Sequence, residues 1–242
     1  MSTSARRVLL LGVPALSAVL FALITWQVAV QGPLLRLDAR LSRALVRPDR
    51  FSELLSDLGD VRVALPVPAA VLAYAAWRGR AAGAGRWWPG PLAAAGLMAL
   101  VPAIVVPLKI WTARPGTPAV PPAVGYFPSG HTATAMIAYG SATVLLLPRF
   151  RSPAARRLLV AGCAALVLGV SYGLVRRGYH WPLDVVAAWC LGAVLLAALA
   201  PVVSRSRRRR RPGPPVPPGG PGAETASADR AGRHAGAADP FE

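Results

Sequence analysis

Six apolar runs, spaced by short arginine-bearing loops, constrain this chain more than any other feature. They cover about residues 8–30, 61–77, 89–111, 131–148, 158–175 and 182–203, and each comes near the ~20 residues that a helix needs to cross a bilayer. The predicted fold is therefore all-α: an integral membrane bundle of six transmembrane helices over residues 1–203. A polar segment, 33–60, follows the first run with leucines at helical spacing among its charges, and is expected to lie along the interface as an amphipathic helix. A net charge of +17 in 242 residues would also suit a soluble nucleic-acid-binding protein. Here membrane-length apolar runs interrupt the arginines, so no nucleic-acid partner is expected. The first run is longer than a signal-peptide core and lacks a small-x-small cleavage site, so a retained helix is expected.

Loop charge sets the orientation. The N-terminus, the 78–86 loop, the 149–157 loop and the arginines from Arg205 to Arg211 fall on one side of a six-span arrangement. Short arginine-rich loops mark the cytoplasmic face. Both termini are then cytoplasmic, in the cell (plasma) membrane, and the 112–130 and 176–181 loops face outward. Residues 204–242 are basic and then rich in Pro and Gly, as in a disordered cytoplasmic tail. Cys163 and Cys190 both lie in apolar runs and imply no disulfide framework.

Against this apolar background histidine, lysine and, past Asp60, acidic residues are scarce. The histidines are His131, His180 and His234, the one lysine is Lys109, and between Asp60 and Glu224 the single acidic residue is Asp184. Unpaired charge at membrane depth is costly, so these residues are the first candidates for a working site. The stretch PSGH, residues 128–131, stands where a loop becomes a helix. Free N–H groups at such a start favour an anion, and Gly130 lets a ligand approach the backbone. A plain capped helix start would look the same. His180 and Asp184 are i and i+4 and share one helix face. An aspartate that accepts from one imidazole nitrogen leaves the other as a nucleophile or base. An interfacial aromatic belt explains Tyr179 and Trp181 but not the lone aspartate.

Lys109, Arg114, Arg176 and Arg177 add cations on the same side, which suits a phosphate. Taken singly, each is equally a snorkelling side chain. A zinc site built from His131, His180 and Asp184 is the competing reading of the same residues. Gathered cations would repel a metal ion and favour an anion.

Together these motifs resemble the type 2 phosphatidic acid phosphatase (PAP2) superfamily, which also includes vanadium haloperoxidases. Its three motifs are K-x6-R-P, P-S-G-H and S-R-x5-H-x3-D. PSGH is complete at 128–131 and the final H-x3-D at His180 and Asp184, and the resemblance extends over about residues 30–203. It implies that His180 attacks phosphorus, that Asp184 orients it, and that His131 protonates the leaving oxygen and then activates water. Lys109, Ser129 and Gly130 would hold the phosphate, with no cofactor and no metal. Two motifs depart from the pattern. The Arg-Pro pair comes two residues early, at Arg114-Pro115, and the expected Ser-Arg falls on Gly173-Leu174, with Arg176 and Arg177 further on. The implied activity is hydrolysis of a lipid phosphate or pyrophosphate at the outer face. Transfer of the phosphoryl group to an acceptor, and lipid-phosphate binding or transport without turnover, are the alternative readings of the same residues.

Overall fold

A computed structural model describes residues 3–81 and 88–208, with side chains placed over 11–81 and 88–205. Among the described residues the chain is helical, with no strand: α1 (Thr3–Ala29), α2 (Leu34–Leu45), α3 (Arg50–Asp57), α4 (Val61–Ala64), α5 (Pro66–Ala81), α6 (Pro89–Thr112), α7 (Gly130–Leu146), α8 (Pro153–Arg176) and α9 (Pro182–Arg208). Arg86 of the 78–86 loop, the expected tail from residue 209 and His234 lie outside the described residues.

Four stretches are long and apolar enough to cross a membrane: Leu11–Ala29, Pro89–Thr112, Pro153–Arg176 and Pro182–Arg205. A fifth arises if α3 and the Val61–Ala81 stretch, bent by 61° where they meet, count as one span. The expected fourth span is α7, whose 17 residues reach about 25 Å at 1.5 Å per residue. That is short of a ~30 Å hydrocarbon core.

α7 is the central helix. Residues on every side of it are buried, from Thr132 to Leu145, because α5, α6, α8 and α9 pack round it. Small residues make this possible, since helices in lipid approach closely only where side chains are small. A Cβ added at Gly192 of α9 would come within 2.2 Å of Met136 Cγ on α7.

The segment expected as a single interfacial helix is two helices. Pro48 disfavours helical backbone at Arg47, and Asp49 then caps α3 by accepting from the Ser52 N–H at 2.7 Å. Both helices are inside out by the standard of a soluble protein. Asp38, Ser42, Ser52 and Ser56 are buried, while Leu37, Leu41, Leu45, Phe51 and Leu54 are exposed. α3 lies on α8 at Gly173, where an added Cβ would sit 2.6 Å from both Ser52 O and Ser56 N.

Candidate active site

α6 ends at Thr112, and Ala113 then turns left-handed at φ 42°. That turn sends Arg114 into the bundle, where it is 3% exposed. One guanidinium nitrogen donates to Asp184 Oδ1 and the other to Asp38 Oδ2, each at 2.5 Å. The connector then lies over the α8–α9 turn. Trp181 Nε1 donates to Pro115 O at 2.9 Å, and the Thr117 hydroxyl donates to Gly178 O.

Asp184 stands in the first turn of α9 and is fully buried. Its Oδ2 lies 3.2 Å from His180 Nδ1 and accepts the Trp181 N–H at 3.1 Å. Its main-chain oxygen accepts the Ser129 N–H at 3.1 Å, tying α9 to the start of α7. With the proton on Nδ1 and directed at Asp184, His180 keeps a lone pair on Nε2. Tyr126 meets the His180 ring edge-on, with centroids 5.8 Å apart.

His131 and His180 line one cavity of about 280 Å³, together with Ser56, Asp57, Val120, Tyr126, Leu174 and Tyr179. The two imidazoles expected to work together therefore share a chamber. His131 also borders a second, apolar cavity of about 550 Å³, whose walls include Leu65, Met98, Val101, Val106, Lys109 and Gly130. Asp60 is 3.9 Å from His131 Nε2.

The remaining expected residues are placed as follows. The Ser129 side chain caps α7 by accepting the Thr132 N–H at 3.3 Å. Lys109 Nζ donates to Gly125 O at 2.8 Å, and Gly130 lies beside the lysine, its Cβ position 4.0 Å from Lys109 Cε. Arg177 donates to the Tyr179 hydroxyl at 3.0 Å and lies 3.7 Å from Glu53. It reaches the cavity wall only through Tyr179, although its Nε is buried without a partner. Arg176 is not brought to the histidines. Its Nε donates to Asp49 Oδ2 at 2.8 Å, and the side chain borders a separate groove with Arg47, Tyr172 and Trp189. Arg176 holds the Asp49 carboxyl down at about 2, helped by the Ser52 N–H. Among the described residues, no group of three or more His, Cys, Asp or Glu is arranged to hold a metal ion.

The departures in the third motif have a structural reason. Gly173 has the α3 backbone against it and leaves no room for a serine side chain. Leu174, at the position where the resemblance expects arginine, lines the cavity wall. Sequence reasoning missed Asp38, whose Oδ1 accepts the Leu183 N–H at 2.9 Å at the start of α9. Its signal was available, as it is the only acidic residue in the first 48. Burial pushes the Asp38 carboxyl up, while Arg114 and the Leu183 N–H draw it down. Because a guanidinium keeps its proton, the 2.5 Å contact favours the carboxylate as its partner.

A sequence model of the PAP2 superfamily matches residues 90–208. The fold is that of a transmembrane PAP2-type phosphatidylglycerolphosphate phosphatase from Bacillus subtilis, with a TM-score of 0.65 at 20% identity over 82% of this chain and 97% of that one. Helical fold and apolar spans together define an integral membrane protein, and its residues 90–208 carry the match to the PAP2 superfamily. Over 67 residues it is also 42% identical to an undecaprenyl-diphosphatase from Sulfolobus acidocaldarius, a match that spans 28% of this chain and 28% of that relative's length.

Proposed function

We propose that this protein is a metal-independent phosphatase that hydrolyses a lipid phosphate or pyrophosphate through a phosphohistidine on His180. The observation that carries the reading is that His180, backed by the buried Asp184, lines a chamber shared with His131. His180 Nε2 would attack phosphorus while Nδ1–H stays on Asp184, so the carboxylate stabilises the imidazolium that forms. The phosphorus–oxygen bond to the lipid breaks, and the leaving oxygen takes a proton from His131. Neutral His131 then removes a proton from water. The resulting hydroxide attacks phosphorus, the N–P bond breaks, and inorganic phosphate and free His180 remain.

The apolar cavity bordered by His131, Lys109 and Gly130 suits the hydrocarbon part of such a substrate. Lys109 and the α7 N-terminus then supply the charge complement of the phosphate. Arg114 serves by orienting Asp184. In the six-span arrangement set by loop charge, the chamber opens to the extracytoplasmic side and both termini are cytoplasmic. The names of the two relatives support substrates of the phosphatidylglycerol phosphate and polyprenyl pyrophosphate kinds.

The test is phosphate release from lipid phosphates by the purified full-length chain in EDTA. His180→Ala should abolish release, and acid-labile label should be trapped on the wild type during turnover. Activity that survives His180→Ala would overturn the scheme. One observation favours a second reading, binding without turnover: Arg114, Arg176 and Arg177 are all engaged by protein groups. It requires lipid-phosphate binding with no trapped phosphohistidine.

A further inference from the structure

We propose that Asp38 is a positioning residue for His180, acting through Arg114 and Asp184 to complete the charge balance of the nucleophile. The inference builds on the phosphatase reading above, but its first test does not need turnover.

Asp184, Arg114 and Asp38 are 0%, 3% and 1% exposed, so water screens them little. Asp184 is the carboxylate that must stabilise a cationic His180. Yet its Oδ1 is bonded at 2.5 Å to the Arg114 guanidinium. Those two charges alone sum to zero, and a neutral pair offers an imidazolium little. The second arm of Arg114 bonds Asp38, so the three groups together carry one negative charge. The positive charge that the His180 ring gains on protonation, or on attachment of a phosphoryl group at Nε2, balances that negative charge, the phosphoryl oxygens being held by other groups. Asp38 thus restores the negative field that the inward-turned Arg114 would otherwise remove. It also fixes geometry, since its free oxygen holds the Leu183 N–H one residue before Asp184.

Other charged or titratable groups face His180 or its partner. They are Asp57 from α3, Tyr126 from the connector, His131 from α7 and Tyr179 beside it, with Lys109 of α6 near Asp184. All are the same in wild type and in an Asp38 variant, so a difference between the two isolates Asp38.

The chain has three histidines, so ¹³C-histidine labelling of the full-length protein in micelles gives three titrating signals, with His180 assigned by its loss in His180→Asn. Asp38→Asn removes a negative charge and should move the His180 titration to lower pH. Arg114→Gln removes a positive charge and should move it to higher pH. The double variant should fall between the two, and His131 should shift less than His180 in each. In phosphate-release assays Asp38→Asn should lower kcat by about tenfold or more, the factor that one pK unit of lost stabilisation represents. KM should change little, and the acid limb should follow the His180 titration. An unmoved His180 titration in Asp38→Asn, with kcat falling only as folded protein is lost, would reduce Asp38 to a structural role and overturn the proposal. Should Asp38→Asn not fold, an Arg114→Gln titration that stays in place or moves down overturns it equally. A wild type that releases no phosphate sinks the phosphatase reading and leaves the titration result standing.

Discussion

Three glycines of α8 provide a graded test of how closely α3 must lie on this helix. Gly162 has nothing within 4 Å of its Cβ position, Gly169 has Leu55 Cδ2 at 3.2 Å, and Gly173 has Ser52 O and Ser56 N at 2.6 Å. At Gly162, alanine should stabilise by about 0.5–1 kcal/mol, the usual gain over glycine within a helix. At Gly169 the obstacle is the end of a leucine side chain, which can turn aside, so the gain should be roughly cancelled. At Gly173 the obstacle is backbone on both sides. α3 must move off by several tenths of an ångström, with a net loss of about 1–3 kcal/mol, as for overpacked cores. Because α3 carries Ser56 and Asp57 on the wall of the histidine chamber, Gly173→Ala should also lose activity, whereas Gly162→Ala should not. The assay is the unfolding midpoint of each purified variant in one detergent, with phosphate release measured alongside. If Gly173→Ala is as stable and active as Gly162→Ala, the close approach of α3 to α8 is wrong.

Two further outcomes are expected. Val106→Trp, on the half-exposed wall of the apolar cavity, should exclude about two methylenes of a lipid chain and lower kcat/KM for long-chain substrates about tenfold, at ~0.8 kcal/mol per methylene; short-chain substrates should be spared, and equal loss for both would refute the chain-binding role. The Asp49 carboxyl titrates at about 2 in the folded protein against 3.8 ordinarily. A depressed carboxylate contributes stability that is complete above about pH 4 and is lost as pH falls toward 2. Asp49→Asn should therefore flatten the unfolding midpoint across that window, and an unchanged acid limb would count against the Arg176–Asp49 pair.

Much of this arrangement is legible in the sequence because it is local. PSGH reads as a helix start and is one, with Ser129 as its cap. His180 and Asp184 read as a pair one turn apart, and they meet at 3.2 Å. The apolar runs locate α1, α6, α8 and α9 to within a few residues. What escaped depends on distance along the chain. Arg114 reads as a phosphate ligand because its charge is visible in the sequence, whereas its two carboxylate partners, Asp38 and Asp184, lie 76 and 70 residues away. Likewise, Arg176 and Arg177 are neighbours in sequence but leave α8 in different directions, one toward Asp49 and the other toward Tyr179. The short α7 reads in the sequence as an ordinary span, yet burial on all sides frees it from any need to match the membrane's thickness. Length and hydropathy alone carry no record of what surrounds a helix.

The segment by which the superfamily is recognised begins at residue 90, but the chamber is not finished inside it. Ser56 and Asp57 come from upstream, and so does the carboxylate that meets the second arm of Arg114. A fragment trimmed to the recognised segment would keep both imidazoles and still strand a buried cation with half its complement. The amino-terminal third thus supplies part of the candidate site, and grafting residues 90–208 onto another anchor would carry over the motifs without Asp38, Ser56 and Asp57.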